Sequence, residues 1–220
     1  MATWGVIFDW DGIIVDSRAQ HEASWRRLAD EERQPLPAGH FLRGFGMKNE
    51  YIIPQLLKWT EDPADVRRLS LRKETLYREI VQETGLKALP GVESLLRTLR
   101  DASIPCAVGS STPRVNIDFV LERLGFRNAF DAVIAAEDVT RGKPDPEVFV
   151  KAAQALGQPA GRCVVFEDTL VGIEAARAGG MKVVAVTTTN PPERLVGADL
   201  IVERLSEVSV DLLARWFSGA

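Results

Sequence analysis

The sequence predicts an α/β protein, a doubly wound parallel sheet with an all-helical domain inserted near its start. Three observations carry this. From about residue 88 onward, short β-branched apolar runs alternate with amphipathic stretches, the pattern of βαβ units. A first apolar run, residues 4–9, stands far upstream of that series. Between them, from about residue 18 to 86, the periodicity is helical and no strand-like run appears. The expected boundaries are therefore residues 1–16 and 87–220 for an α/β core, and 17–86 for a helical cap.

The first strand opens the core and runs into "DWDGIIVDS", where Asp16 and Ser17 offer a cap to the first helix of the insert. The insert itself reads "AQHEASWRRLADEE", "NEYIIPQLLKW" and "DPADVRRLSLRKETLYREIVQETG", each amphipathic and charged. In the core, "IPCAVGSS" leads into "PRVNIDFVLERLG", "FDAVIAAED" into "DPEVFVKAAQALG", and "RCVVFED" into "TLVGIEAARAGG". "KVVAVTT" and "ADLIVERL" complete the series. Asp145 can cap a helix with Pro146 at its first position, and Gly125, Gly157 and Gly179 fall where helices should stop.

Composition narrows the function classes. The 220 residues are 45% hydrophobic and 26% charged, ordinary values for a globular protein. A net charge of −4 gives no basic footprint, so no nucleic-acid partner is expected. No apolar run is long enough for a membrane span, and the start lacks a basic-then-apolar signal pattern, so no membrane partner and a cytoplasmic location are expected. Cys106 and Cys163 lie inside apolar runs and read as buried, reduced thiols. The expected assembly is a monomer or a small homo-oligomer.

In open parallel sheets, ligands bind beyond the carboxyl ends of the strands. The unusual polar residues fall at such ends. Asp9 and Asp11 follow the first strand, and Ser110, Ser111 and Thr112 follow "CAVG". Lys143 lies in the loop after "AVIAAED", and Glu167 and Asp168 close "VVFED". Two carboxylates about 5 Å apart repel by roughly 3 kcal/mol at an effective dielectric of about 20. Several in one pocket therefore call for protons or a cation. Oxygen donors without His or Cys favour Mg²⁺, and Mg²⁺ with positions left for water and phosphate suits phosphoryl transfer. Lys143 and the hydroxyls would supply charge and donors to phosphoryl oxygens. An aspartate can itself attack phosphorus, and a second acid two residues on can protonate the leaving oxygen. Ser111 and Thr112 either cap the helix opening at Pro113 or contact phosphate.

This set closely resembles the haloacid dehalogenase superfamily of phosphotransferases. The matching stretches, in order, are "DWDG" at 9–12, "VGSS" ending at Ser110 or Ser111, Lys143 in "RGKPDPEVF", and "FEDTLVGIEAARAGG" at 166–180. The helical insert resembles the cap of the β-phosphoglucomutase-like branch. The resemblance implies that Asp9 is the nucleophile, Asp11 the general acid/base, Ser110 a holder of the transferring phosphoryl group, and Lys143 its charge balance. It implies Mg²⁺ on the Asp9 side chain, the Asp11 backbone carbonyl and Asp168, with Glu167 beside or on it. Dehalogenases of the superfamily lack the second aspartate, and Asp11 is present here.

His21 and Lys73 match positions that β-phosphoglucomutase uses in cap contacts and substrate handling. That mutase also has a cap arginine for the non-transferring phosphate; this chain departs from it with Met47 and Lys48 there, and only Lys48 or Arg43 could substitute. Arg114 replaces an asparagine of the second motif, where it would grip a second anionic group. The cap stretch also looks like plant and bacterial members of the branch, including a riboflavin-precursor phosphatase. The expected activity is a Mg²⁺-dependent phosphatase acting on a small phosphomonoester, such as a sugar phosphate, through an aspartyl-phosphate. The alternatives are a phosphosugar mutase and a binding protein that keeps the fold without turnover. The intact set Asp9, Asp11, Lys143 and Asp168 argues against the last.

Overall fold

The computed structural model describes residues 4–218. The chain enters the sheet with β1 (Gly5–Phe8) and leaves it for α1 (Arg18–Glu32), α2 (His40–Gly44), α3 (Asn49–Tyr51) and α4 (Pro63–Thr84). It returns through α5 (Val92–Asp101), and strands and helices then alternate. They are β2 (Cys106–Gly109), α6 (Arg114–Leu124), β3 (Ala132–Ile134), α7 (Glu147–Ala155), β4 (Cys163–Glu167), α8 (Leu170–Ala178), β5 (Lys182–Val186), β6 (Leu200–Val202) and α9 (Val210–Ala214). Two compact units result. One runs to Asp16 and resumes at Lys87, and the other is Ser17–Leu86.

In the core unit, six strands pair in the order β3-β2-β1-β4-β5-β6, every pair parallel. The central strands β1, β2 and β4 are buried throughout, which is why their sequences are unbroken apolar runs rather than alternating ones. Ile7, Ala107, Val165 and Val183 come from four strands and pack with Phe149 and Ala152 of α7 and Ile173 of α8. Each fully buried Val, Ile or Phe there contributes about 1.5–3 kcal/mol. β1 is one residue shorter at each end than the apolar run suggests. Even so, the Asp9 amide still donates to the Phe166 carbonyl at 3.0 Å, so the rung beyond the strand is kept. α7 begins at Glu147 with Pro146 at the N-cap, one residue later than expected, and the Asp145 carboxylate accepts from the Glu147 amide at 3.0 Å.

In the helical unit, α1 and α4 lie antiparallel. Trp25 and Leu28 of the first belong to one apolar cluster with Val66, Leu69 and Leu76 of the second. Three arginine–glutamate pairs, Arg27–Glu83, Arg72–Glu31 and Arg68–Glu32, line the exposed side of that seam at 2.6, 2.7 and 2.6 Å. These pairs are exposed and screened by solvent, so the apolar seam holds the two helices together. Asp62 caps α4 by accepting from the Asp65 amide at 2.9 Å, with Pro63 at the first helical position.

Two expectations are corrected in this unit. "NEYIIPQLLKW" is not one α-helix. α3 gives way to a wide π-type turn over Ile52–Leu57, because Pro54 has no N–H to continue the α-helical ladder. Ser17 occupies the N-cap of α1, but its side chain makes no capping hydrogen bond.

Among the described residues, no helix is long and apolar enough to cross a membrane. Both cysteines are free and buried, and burial pushes the Cys106 thiol up to about 12 and the Cys163 thiol up to about 11.

Candidate active site

The order β3-β2-β1-β4-β5-β6 reverses direction between β1 and β4, and that switch point is where doubly wound sheets bind ligands. Asp9 follows β1 directly, Glu167 ends β4, and Asp168 follows it. Ser110 follows β2, with its amide donating to the Ile134 carbonyl at 2.9 Å. Lys143 arrives from the loop after β3. All five side chains are buried.

Asp9, Glu167 and Asp168 bring three carboxylate oxygens within 4.8 Å of one another, a spacing that suits a single cation. Lys143 lies between two of these acids, its Nζ 2.6 Å from Glu167 Oε1 and 3.0 Å from Asp9 Oδ1. The contact to Asp9 is an ion pair without hydrogen-bond alignment, so Asp9 Oδ1 closes no hydrogen bond. Neither Asp168 oxygen closes one either. The Thr189 hydroxyl stands near Asp168 and favours its charge without completing a bond to it. Glu167 is different. Its Oε1 takes the Lys143 proton donor, and its Oε2 accepts from the Asp168 amide at 2.7 Å, the Thr169 amide at 2.8 Å and the Thr169 hydroxyl at 2.9 Å. Glu167 is therefore a brace, and the buried oxygens left without a hydrogen bond belong to Asp9 and Asp168.

Burial pushes the Asp9 carboxyl up to about 7; Lys143 pulls the other way, and Glu167 and Asp11 add to the rise. Burial likewise raises Asp168 well above the usual carboxylate range, with Glu167 and Asp9 adding to it. For Lys143 burial opposes the charge, but Asp9 and Glu167 outweigh it and hold the ammonium above its ordinary value. At about 5 Å, each carboxylate pair repels by roughly 3 kcal/mol at an effective dielectric of about 20. The donor set, hard oxygens alone, fits Mg²⁺.

Two glycines let the acids approach this closely. Gly12 has φ +81, and a β-carbon on it would lie 1.8 Å from Asp168 Oδ2. A β-carbon on Gly172, in the first turn of α8, would lie 1.7 Å from Glu167 Oε1.

The remaining sequence candidates divide. The Thr112 hydroxyl donates to Asp11 Oδ2 and does not cap α6. α6 starts at Arg114 behind Pro113 with no side-chain cap at all, and Ser111 is half-buried beside it. Arg114 does not present a free guanidinium. Its Nη2 is held by Asp138 at 2.7 Å and by the Val133 carbonyl at 2.5 Å. Within the helical unit, Lys73 Nζ meets His21 Nδ1 at 2.7 Å and Glu74 Oε1 at 2.9 Å, and His21 stacks on Tyr77 at 4.0 Å. Glu74 Oε1 also accepts from the Asn49 amide at 2.7 Å. Burial opposes the charge of Glu74, but Lys73, His21 and Asn49 together lower its pKa. Lys48 forms the N-cap of α3, and Arg43 donates to the Ala38 carbonyl at 3.3 Å.

The family profile of the haloacid dehalogenase-like hydrolases matches residues 5–180. The chain belongs to that family. Within it, the chain is 40% identical over 209 residues to the chloroplastic 5-amino-6-(5-phospho-D-ribitylamino)uracil phosphatase of Arabidopsis thaliana. The match takes in 94% of this chain and 56% of that protein, so the chain spans little more than half of that relative. It is 31% identical over 216 residues to the β-phosphoglucomutase of Bacillus subtilis (strain 168), covering 94% and 92% of the two. A crystal structure of β-phosphoglucomutase from Clostridium difficile superposes with a TM-score of 0.86 at 26% identity, over 98% of this chain and 97% of that one. This haloacid dehalogenase-like enzyme thus falls in the β-phosphoglucomutase-like branch.

Sequence reasoning passed over Asn190, whose amide donates to the Asp168 carbonyl at 2.9 Å and ties the loop after β5 to the acidic loop. The signal was present, since "TTTN" at 187–190 is a polar cluster at a strand's carboxyl end like the others.

Proposed function

We propose that this chain is a Mg²⁺-dependent phosphatase of small phosphomonoesters, sugar phosphates foremost, working through an aspartyl-phosphate on Asp9. The observation behind this reading is Asp9 itself, a buried carboxylate at the switch point, paired with Lys143 and keeping one oxygen outside any hydrogen bond. Asp9, Asp168 and the Asp11 backbone carbonyl would hold Mg²⁺, with Glu167 braced beside it. When bound, the ion supplies charge neutralisation to the phosphoryl oxygens.

In the first half-reaction an Asp9 oxygen bonds to phosphorus as the ester P–O bond breaks, and Asp11 gives its proton to the leaving oxygen. In the second, a water oxygen bonds to phosphorus as the Asp9–phosphorus bond breaks, and Asp11 takes the water proton. Ser110 donates to the transferring group throughout, and Lys143 balances its charge.

A second reading, a phosphosugar mutase, is favoured by the similarity to β-phosphoglucomutases. It differs only in the second acceptor, a sugar hydroxyl in place of water. One assay separates the two. The protein with Mg²⁺ is offered 5-amino-6-(5-phospho-D-ribitylamino)uracil, a panel of sugar and sugar-alcohol phosphates, and β-glucose 1-phosphate with a bisphosphate primer. Released phosphate is the expected outcome; formation of the 6-phosphate without phosphate release means the mutase. Asp9→Asn should abolish turnover while leaving the fold intact, and substantial residual activity would remove Asp9 as nucleophile.

A further inference from the structure

Asp11 belongs to a turn whose backbone is closed on itself. The Gly12 amide donates to the Val15 carbonyl at 2.8 Å, and the Trp10 carbonyl accepts from the Ile14 amide at 2.9 Å. That closure fixes the Asp11 main chain, and the side-chain torsions then set where its carboxylate points. A group that gives and takes a proton in one turnover must meet the reacting oxygen within hydrogen-bond reach, so its rotamer matters.

The Thr112 hydroxyl donates to Asp11 Oδ2. Thr112 is anchored on both sides of its own peptide. Its amide donates to Ser110 Oγ at 3.1 Å, and its carbonyl accepts from the Ala136 amide at 3.1 Å. A β-branched side chain on a fixed backbone has few rotamers to choose from. The bond also survives both protonation states of Asp11. A carboxylate oxygen accepts from Thr112, and so does the carbonyl oxygen of the neutral acid when the proton is on Oδ1.

We infer that Thr112 is the positioning residue for the acid/base of this enzyme, holding Asp11 by Oδ2 so that Oδ1 carries the transferred proton. The inference rests on the phosphatase reading above. In the first half-reaction the Oδ1 proton goes to the ester oxygen as the P–O bond breaks and the Asp9–phosphorus bond forms. In the second, a water proton returns to Oδ1 as the Asp9–phosphorus bond breaks. Thr112 stays neutral throughout and exchanges nothing.

The test uses leaving groups. The quantity kcat/KM covers only the steps up to alcohol release, where Asp11 acts as an acid. An alkyl alkoxide needs that proton, and p-nitrophenolate leaves without it. Thr112→Val, which keeps the shape and loses the hydroxyl, should lower kcat/KM about tenfold or more on the best sugar phosphate of the panel. On p-nitrophenyl phosphate it should change by less than about threefold, and Thr112→Ser should restore the sugar-phosphate value. Thr112→Ala repeats the measurement if the valine variant melts early. Equal losses on both substrates would assign Thr112 to phosphate binding, and no loss on either would make it structural; each overturns the inference. Asp11→Asn is the control for the underlying reading. If Asp11→Asn keeps full kcat/KM on the sugar phosphate, the acid role of Asp11 fails. If it shows the leaving-group split and Thr112→Val does not, only the inference fails.

Discussion

Asp9, Glu167 and Asp168 set three negative charges against the one positive charge of Lys143, a net of −2 when all are ionised. Protons or a cation must offset that excess, and the two compete. An acid whose folded value stands above its unfolded one, as Asp9 does at about 7 against 3.8, binds protons more tightly when folded. Without a cation, the folded state therefore loses stability as pH rises from the unfolded value through about 7. Mg²⁺ has to displace that proton, so its stabilisation should grow over the same window. Melting curves with millimolar Mg²⁺ and with chelator should differ more at about pH 8 than at about pH 5. Equal shifts at both pH values would mean that Asp9 is not in the cation site. At this scale the sequence displays the acids and the lysine because each stands at the end of an apolar run. It does not display that Thr112 faces Asp11, or that Asp138 takes Arg114, since side chains more than twenty residues apart meet only through the fold.

The segment that carries Lys143 is held from α7. Glu147, at the start of that helix, accepts from the Arg141 amide at 2.9 Å, the Thr140 hydroxyl at 2.9 Å and Lys151 at 2.7 Å. These bonds, the Lys151 contact first, bring its carboxyl down to about 2. A lowered acid stabilises the fold above its unfolded value and ceases to do so as pH falls through the folded one. Wild type should therefore melt above Glu147→Gln at neutral pH, and the gap should close between the ordinary glutamate value of 4.5 and about 2. A gap independent of pH would show that the carboxylate charge plays no part. Elements of this kind were legible where glycine, proline or an apolar run punctuates the chain. The six strands and the stops at Gly125 and Gly157 follow that punctuation. The turn over Ile52–Leu57 was missed because its apolar spacing imitates a helix, while Pro54 forbids one.

The two units have separate apolar cores, one centred on Ile7, Val165 and Phe149, the other on Trp25, Leu28 and Leu69. The ends of the helical unit lie together, with the Gln20 amide donating to the Gly85 carbonyl at 3.1 Å. Replacing Ser17–Leu86 with a short Gly/Ser linker should leave an α/β core that melts cooperatively, as insertions with adjacent ends allow. A non-cooperative transition in calorimetry would mean that the core depends on the insert for its fold. The division into core and insert was legible because the periodicity changes on both sides of it. The order of strands was not, since no pattern within a strand names its neighbours. That order has a thermal consequence. β1 and β4 are hydrogen-bonded neighbours from Gly5↔Cys163 to Phe8↔Phe166, and Asp9 follows one strand where Glu167, the residue before Asp168, ends the other, so the main-chain gap beneath the acids is the repeat distance of the sheet itself. Warming cannot loosen that gap by fraying a loop, because it closes only when the central strand pair parts. Heat inactivation and global unfolding should then trace the same curve.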